Sequence, residues 1–252
     1  MQNVKINLSL IIPIGLMLFS FFFGAGNLIF PPVLGQMAGE NISWGMLGFC
    51  LSGVGFPLLG VLAMAMKQSD NPDSIAMPMH PLYARAVTIL CALAIGPLFA
   101  IPRTAAVSFD TGIHSLLPAS CEAIGLPVYT VFFFVLTYFF SINPSKIIGH
   151  IGKFLSPMLL ICLAVLVVCV FVNPTGSLKM PNPGFAASPF FRGFQEGYNT
   201  MDLLAAIQFG SITIKAIEAQ GITDKKVLTK LCSYAGLIAA FFLAIIYAAL
   251  AY

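Results

Sequence analysis

The stretch FFFGAGN, residues 21–27, puts two glycines and an asparagine inside an uncharged apolar run. Because glycine weakens a helix, we expect the helix to break around Ala25. Amides freed at such a break attract a carboxylate, and freed carbonyls attract a cation. Asn27 adds a side-chain oxygen of the kind that hard cations prefer. The alternative is that the small residues only allow tight helix packing, and these residues alone leave both interpretations open.

A second interruption is predicted at residues 208–211, in the least apolar of the long hydrophobic segments. Here Gly210 stands between polar neighbours, Phe209 could wall an apolar pocket, and Gln208 and Ser211 could supply hydrogen bonds. Glycine-interrupted helices in corresponding places of two halves of a chain point to a binding site in membrane carriers. The alternative is an ordinary short span in which Gln208 bonds to a neighbouring helix.

Charged residues inside an apolar segment form the third feature. Arg103 and Asp110 are seven residues apart, so a helix presents both on one face. Two turns cover about 10.5 Å, so these two side chains meet only if both are extended, and Asp202 is a rival partner. A charge at the centre of a membrane costs at least about 2.5 kcal/mol. Both a gate and a structural ion pair are compatible with this pattern.

The composition predicts a polytopic helical membrane protein. The 252 residues are 59% hydrophobic and only 8% charged, whereas soluble domains carry about 25% charged residues. The apolar runs are continuous, unlike the alternating strands of a transmembrane β-barrel. The cysteines and histidines show no disulfide or metal spacing, and no phosphate loop or nucleophile–base pair is present. We therefore expect no enzyme activity, no cofactor and no nucleic-acid partner, with the lipid bilayer as surroundings.

Seven segments are candidates for spans, each of which needs about 20 apolar residues. They are residues 8–34, 44–66, 85–110, 125–143, 151–172, 197–215 and 227–252, and a short interfacial helix is expected around residues 188–197. An inner N-terminus puts nine Lys and Arg residues on the inner side and two on the outer side, which predicts a cytoplasmic N-terminus. The last apolar run reaches Tyr252, so we expect a fragment of a longer protein.

Four long stretches resemble the bacterial branched-chain amino acid:cation symporters. They are GLMLFSFFFGAGNLIFPPVLGQMAG (15–39), GPLFAIPRTAAVSFDTG (96–112), FFVLTYFFSINPSKIIGHIGKFLSPML (133–159) and GYNTMDLLAAIQFGSI (197–212). The resemblance implies an inner-membrane carrier of about twelve spans, of which this chain would cover the first seven. Such a carrier takes up leucine, isoleucine and valine by alternating access, together with Na⁺ or H⁺ as the coupling ion.

The resemblance extends to the leucine/neurotransmitter-transporter fold, an all-α arrangement of two five-helix inverted repeats. Residues 8–172 would form the first repeat and residues 197–252 the start of the second. The implied substrate site consists of Gly24, Ala25, Gly26, Gln208, Phe209, Gly210 and Ser211. The implied cation ligands are the Asn27 side chain and the carbonyls of Ser20, Phe22 and Phe23.

One departure concerns the outer gate. Neurotransmitter symporters continue GxGN as GxGNxxRFP, whereas this sequence reads GAGNLIFPP and has no arginine there. Arg103 with Asp110 or Asp202 could replace that gate. Two other function classes stay open: a channel or passive pore, which would need a selectivity filter, and a non-transporting structural subunit, in which GAGN would be a packing patch.

Overall fold

The structure, a computed structural model, describes residues 8–118, 122–142, 155–172, 179–222 and 224–252, and the regular elements in these ranges are all helical. The α-helices are α1 (Leu8–Phe22), α2 (Ala25–Ala38), α3 (Ile42–Cys50), α4 (Phe56–Lys67), α5 (Pro81–Leu93), α6 (Ala100–Gly112), α7 (Glu122–Ser141), α8 (Ser156–Val172), α9 (Pro183–Ala187), α10 (Pro189–Tyr198), α11 (Asp202–Glu218) and α12 (Lys225–Ala251). This agrees with the prediction of an all-α membrane protein.

Four helical segments in the described ranges are long and apolar enough to cross a membrane, and a bent pair of helices makes a possible fifth. The described residues therefore do not confirm the predicted count of seven. The first expected span is split into α1 and α2, so α1 has only 15 residues. Helix α8 has 17 residues, and residues 151–154 of that expected span lie outside the described residues.

Two longer segments contain π turns, and one of them is sharply distorted. Residues Leu51–Gly55 join α3 to α4 with little change of backbone geometry. Residues Ala94–Leu98 join α5 to α6, and Gly96 there has a non-helical ψ of −116°. The next residue is Pro97, which cannot donate a backbone hydrogen bond and therefore disrupts a helix. The helix is therefore kinked at this point.

The core forms where α1, α4, α11 and α12 pack together. One cluster of buried apolar side chains surrounds Phe19, Phe49 and Tyr247, and a second surrounds Met64 and Ile214. Between membrane helices, van der Waals packing contributes more than exclusion of water. The consequence is that small residues, which let helices approach closely, decide which helices become neighbours.

Helices α3 and α10 show such a close approach. A Cβ atom at Gly48 would collide with the Phe190 carbonyl, and one at Gly193 would collide with the Gly45 carbonyl. The two backbones are therefore in direct contact, and this contact holds α10 against α3.

The connections meet at two opposite ends of the long α3–α4 segment. At one end, the Glu40 amide donates to the Lys179 carbonyl at 3.2 Å. At the other end, Lys215 Nζ lies 3.7 Å from Asp70 Oδ2. This pairing agrees with the order of loops expected from alternating spans, whereas the side that faces the cytoplasm stays a prediction.

Candidate functional site

The first helix break lies at the glycine-rich stretch. Helix α1 ends at Phe22, α2 begins at Ala25, and Gly24 between them is extended, with φ −122° and ψ −169°. The break predicted around Ala25 is therefore confirmed. The Gly24 amide, which in a continuous helix would donate to the Ser20 carbonyl, instead donates to Asn27 Oδ1 at 3.0 Å. Asn27 thus caps the new helix start.

A second break lies between α10 and α11, at Asn199–Met201. The two helices are bent by 46°, and Met201 adopts a left-handed conformation with φ 68°. Such a conformation is unfavourable for a residue with a side chain and persists where surrounding structure enforces it. The Thr200 hydroxyl donates to the Gly197 carbonyl at 2.8 Å, which holds the end of α10.

The break predicted at residues 208–211 was wrong, because these residues lie inside the continuous helix α11. A Cβ atom at Gly210 would lie 3.0 Å from the Met64 Cβ. The glycine therefore serves a close contact with α4 and does not interrupt its own helix. The short helix expected around residues 188–197 is present as α10, which is the first half of the broken pair. Its interfacial position stays a prediction.

The four residues predicted at this position have different surroundings. Phe209 stacks on Phe21, with ring centroids 5.5 Å apart, and meets Phe22 edge-on at 5.4 Å. It therefore lies beside the first break. The Ser211 hydroxyl donates to the Asp70 carbonyl in the connection after α4, and Gln208 is half-buried. Phe209 is thus the residue of this group whose ring contacts reach the end of α1.

Asn27 joins the two breaks. Its Nδ2 donates to Asp202 Oδ2 at 2.6 Å, and it also donates to the Tyr247 hydroxyl. That hydroxyl in turn donates to Asp202 Oδ2 at 3.3 Å. The three side chains are at most 4% exposed. A buried carboxylate, a carboxamide and a phenol therefore form one hydrogen-bonded group between α2, α11 and α12.

Arg103 also reaches the second break. Its two Nη atoms donate to the carbonyls of Asn199 at 2.9 Å and Thr200 at 3.2 Å. A guanidinium is favourable at the carbonyl end of a helix, which carries partial negative charge. The guanidinium carbon lies 5.5 Å from the centre of the Phe30 ring. A Cβ atom at Gly26 would lie 2.7 Å from Arg103 Nη2.

Arg103 bonds to backbone carbonyls and not to the aspartate expected as its ion-pair partner. Among the described residues, neither Asp110 nor Asp202 lies within ion-pair distance of Arg103, and Asp110 is exposed. Asp202 and Arg103 nevertheless interact electrostatically at longer range. The partner of Arg103 is the peptide backbone, because the second break frees carbonyls that no helix satisfies.

Three residues of this region, Tyr247, Asn199 and Thr200, were not predicted from the sequence. Tyr247 was read as part of an apolar span, although a hydroxyl in the middle of such a run needs a hydrogen-bond partner. Asn199 and Thr200 lie two and three residues after Gly197, and this polar pair close behind a glycine was the available signal for the true break. The remaining expected cation ligands, Ser20, Phe22 and Phe23, are at the end of α1 and just after it.

Comparison with known proteins identifies relatives along the whole chain. Residues 7–252 match the family model described as branched-chain amino acid transport protein. The chain is 46% identical over its full length to the branched-chain amino acid permease BrnQ of Bacillus subtilis (strain 168) and covers 57% of that protein. It is 39% identical to BrnQ of Escherichia coli (strain K12), with 95% of the chain and 54% of that protein covered.

A third relative is the branched-chain amino acid transport system 3 carrier protein of Pseudomonas aeruginosa, 38% identical over 95% of the chain and 54% of the relative. The chain thus spans little more than half the length of the curated relatives it matches. No solved structure matches it. The family match over nearly every residue shows that the chain belongs to the branched-chain amino acid transport protein family, whose named relatives are permeases and not enzymes.

Proposed function

We propose that the chain provides the substrate site of a secondary transporter that carries leucine, isoleucine and valine by symport with Na⁺ or H⁺. The observation that carries the proposal is the meeting of two broken helices, which Asn27 joins through Asp202. Unwound backbone is tolerated at membrane depth where it lines a cavity or is buried in protein. In transporters, such paired breaks mark the substrate site at the middle of the membrane.

The substrate carboxylate is proposed to bind at the first break, to the amides of Ala25 and Gly26. Gly24 borders this site through its extended backbone, and its own amide bonds to Asn27. Amides at a helix start favour an anion, and Arg103 against Gly26 adds positive charge nearby. Phe209 with Phe21 and Phe22 supplies an apolar aromatic wall for an aliphatic side chain. One methylene in such a pocket discriminates by only about 1–3 kcal/mol, so one carrier for three branched-chain amino acids is physically reasonable.

The coupling ion is proposed to bind backbone carbonyl oxygens at the end of α1 and so to hold the first break in one conformation. The Ser20 carbonyl loses its usual donor because the Gly24 amide bonds to Asn27. Carbonyls of Phe22 and Phe23 are the next oxygens along the chain.

Residues 8–172 and 197–252 are proposed to belong to two inverted repeats that rock around this site. The protein is proposed to lie in the bacterial inner membrane with its N-terminus in the cytoplasm. The charge bias of the loops supports that orientation.

The test is leucine transport by the protein expressed from its complete reading frame and reconstituted in liposomes. We expect accumulation of labelled leucine under an inward Na⁺ gradient or an inward H⁺ gradient. Unlabelled isoleucine and valine should compete, whereas lysine should not. Absence of uptake under both gradients would contradict the proposal.

Counterflow separates a carrier from a pore. Liposomes preloaded with unlabelled leucine should transiently concentrate labelled leucine without any ion gradient, because a carrier exchanges one bound molecule for another. A pore only equilibrates the label. Equilibration without an overshoot would therefore exclude alternating access.

A further inference from the structure

Asp202 is a buried carboxylate to which the resemblance assigns no ligand. It lies in the first turn of α11 and is only 4% exposed. The hydrogen bonds to its Oδ2 come from the side chains of Asn27 and Tyr247, which are both neutral donors. Among the described residues, no Lys, Arg or His lies within ion-pair distance of it. An ionised Asp202 therefore has no direct counter-charge.

The cationic side chain that interacts electrostatically with Asp202 is Arg103, and its hydrogen bonds go to other groups. Arg103 uses both Nη atoms for the carbonyls of Asn199 and Thr200 and packs over Phe30. Its attraction to Asp202 acts at longer range. A buried charge without a close partner is costly, and an acidic residue inside a membrane segment marks an ion or proton pathway in many pumps and transporters. A bound monovalent cation would remove this cost.

We propose that Asp202 binds the coupling cation, with the hydroxyl oxygen of Tyr247 as its second side-chain ligand. Carboxylate and hydroxyl oxygens suit a hard monovalent cation, and a carboxylate also takes up a proton. The ion joins the two breaks at this point, because Asp202 begins α11 while its partner Asn27 caps the start of α2. This inference rests on the proposed transport function. It identifies the Asp202 carboxylate as the charged group through which the cation is coupled to transport.

The groups around Asp202 come from several elements. Asn27, Thr200 and Tyr247 contribute neutral hydrogen-bonding side chains, and Cys50 on α3 interacts with Tyr247. Arg103 on α6 is the positive charge of the group, and it forms its hydrogen bonds to backbone carbonyls. In the described part of the chain, Asp202 is the acidic side chain of this group. Removing its charge should therefore abolish the response to the cation while the substrate amides of the first break stay in place.

The experiment compares Asp202→Asn with the wild type in liposomes, using the protein from its complete reading frame. One arm applies an Na⁺ gradient and the other an H⁺ gradient, and the arm that drives the wild type identifies the cation. We expect Asp202→Asn to lose accumulation of leucine at least about tenfold, as expected when a buried charge interaction is removed. Leucine counterflow, which needs no gradient, should continue.

Asp70→Asn is the matched control, because it makes the same change in an exposed aspartate. The Asp70 side chain is 54% accessible and lies in the connection after α4. It should accumulate leucine as the wild type does. Tyr247→Phe is the second variant, and it should raise the cation concentration for half-maximal uptake about tenfold, because one ligand is lost. This measurement keeps the proposal testable where Asp202→Asn does not fold.

The outcomes separate the two proposals. Gradient-driven accumulation by Asp202→Asn, or an unchanged cation dependence in Tyr247→Phe, would overturn the assignment of Asp202 and leave the transport function standing. A wild type that neither accumulates nor exchanges leucine would overturn the transport function and the inference together.

Discussion

The Asn27 carboxamide and the Asp202 carboxylate meet at 2.6 Å, although 175 residues separate them in the chain. Asn27 belongs to the first turn of α2 and Asp202 to the first turn of α11. The two helices that follow the breaks are therefore joined at their starts by one buried hydrogen bond. If either half-helix moves, this hydrogen bond must break or the other half-helix must move with it. The bond is therefore a direct mechanical link between the two breaks.

Replacing Asn27 should lower leucine uptake, because this one side chain bonds to both breaks. Asn27→Ala removes the cap on the Gly24 amide and leaves the Asp202 carboxylate with one donor fewer. Hydrogen bonds to charged groups contribute about 1.5–3 kcal/mol, so we expect leucine uptake to fall by at least about tenfold. Gln36→Ala, in an exposed position of the same helix, is the control. Equal uptake by both variants would show that the link is dispensable.

Gly26 is predicted to tolerate no larger side chain. A methyl group there would lie 2.7 Å from Arg103 Nη2, so the guanidinium must move away from the carbonyls that it holds. We expect Gly26→Ala to reduce initial rates of leucine uptake about tenfold and Gly26→Leu to abolish uptake with normal insertion. Gly112→Ala, where nothing lies within 4 Å of the added carbon, should behave as the wild type. Full activity of Gly26→Leu would refute binding of the substrate at these amides.

Arg103→Lys tests whether geometry or charge matters at the second break. A lysine keeps the charge but presents a compact ammonium instead of a planar fork, so it cannot reproduce the bonds to Asn199 and Thr200 at once. We expect a lower melting temperature in detergent and reduced uptake. Arg192→Lys, in an exposed position on α10, should change neither. Wild-type behaviour of Arg103→Lys would mean that its charge alone suffices.

Ser211 is predicted to be structural. Its hydroxyl bonds to the Asp70 carbonyl, in the connection that follows α4. Ser211→Ala should leave the apparent KM for leucine within about twofold and lower the free energy of unfolding by about 1 kcal/mol, the usual contribution of a neutral hydrogen bond. Thr213→Val is the control, since that hydroxyl bonds only to its own helix, at Phe209. A KM raised more than about tenfold, the effect of losing about 1.4 kcal/mol, would place Ser211 at the substrate.

The first break could be predicted from the sequence, whereas the second was placed too far along the chain. At Gly24 the cause is local, since Gly24, Gly26 and Asn27 weaken the helix and Asn27 caps its new start. At Gly210 a glycine does not interrupt its helix, which continues through it. It lets α11 approach Met64 on α4, and a contact between distant segments cannot be read from either segment alone.

By itself the sequence determined the class of protein, the approximate position of most helices and the break in the first of them. These follow from composition, from apolar runs of sufficient length and from glycines, which all act locally. Only the tertiary structure decided that Arg103 binds carbonyls instead of an aspartate, and that Asn27, Asp202 and Tyr247 form one buried group. The physical reason is that the partner of a buried polar group is set by helix packing, which brings together residues far apart in the chain.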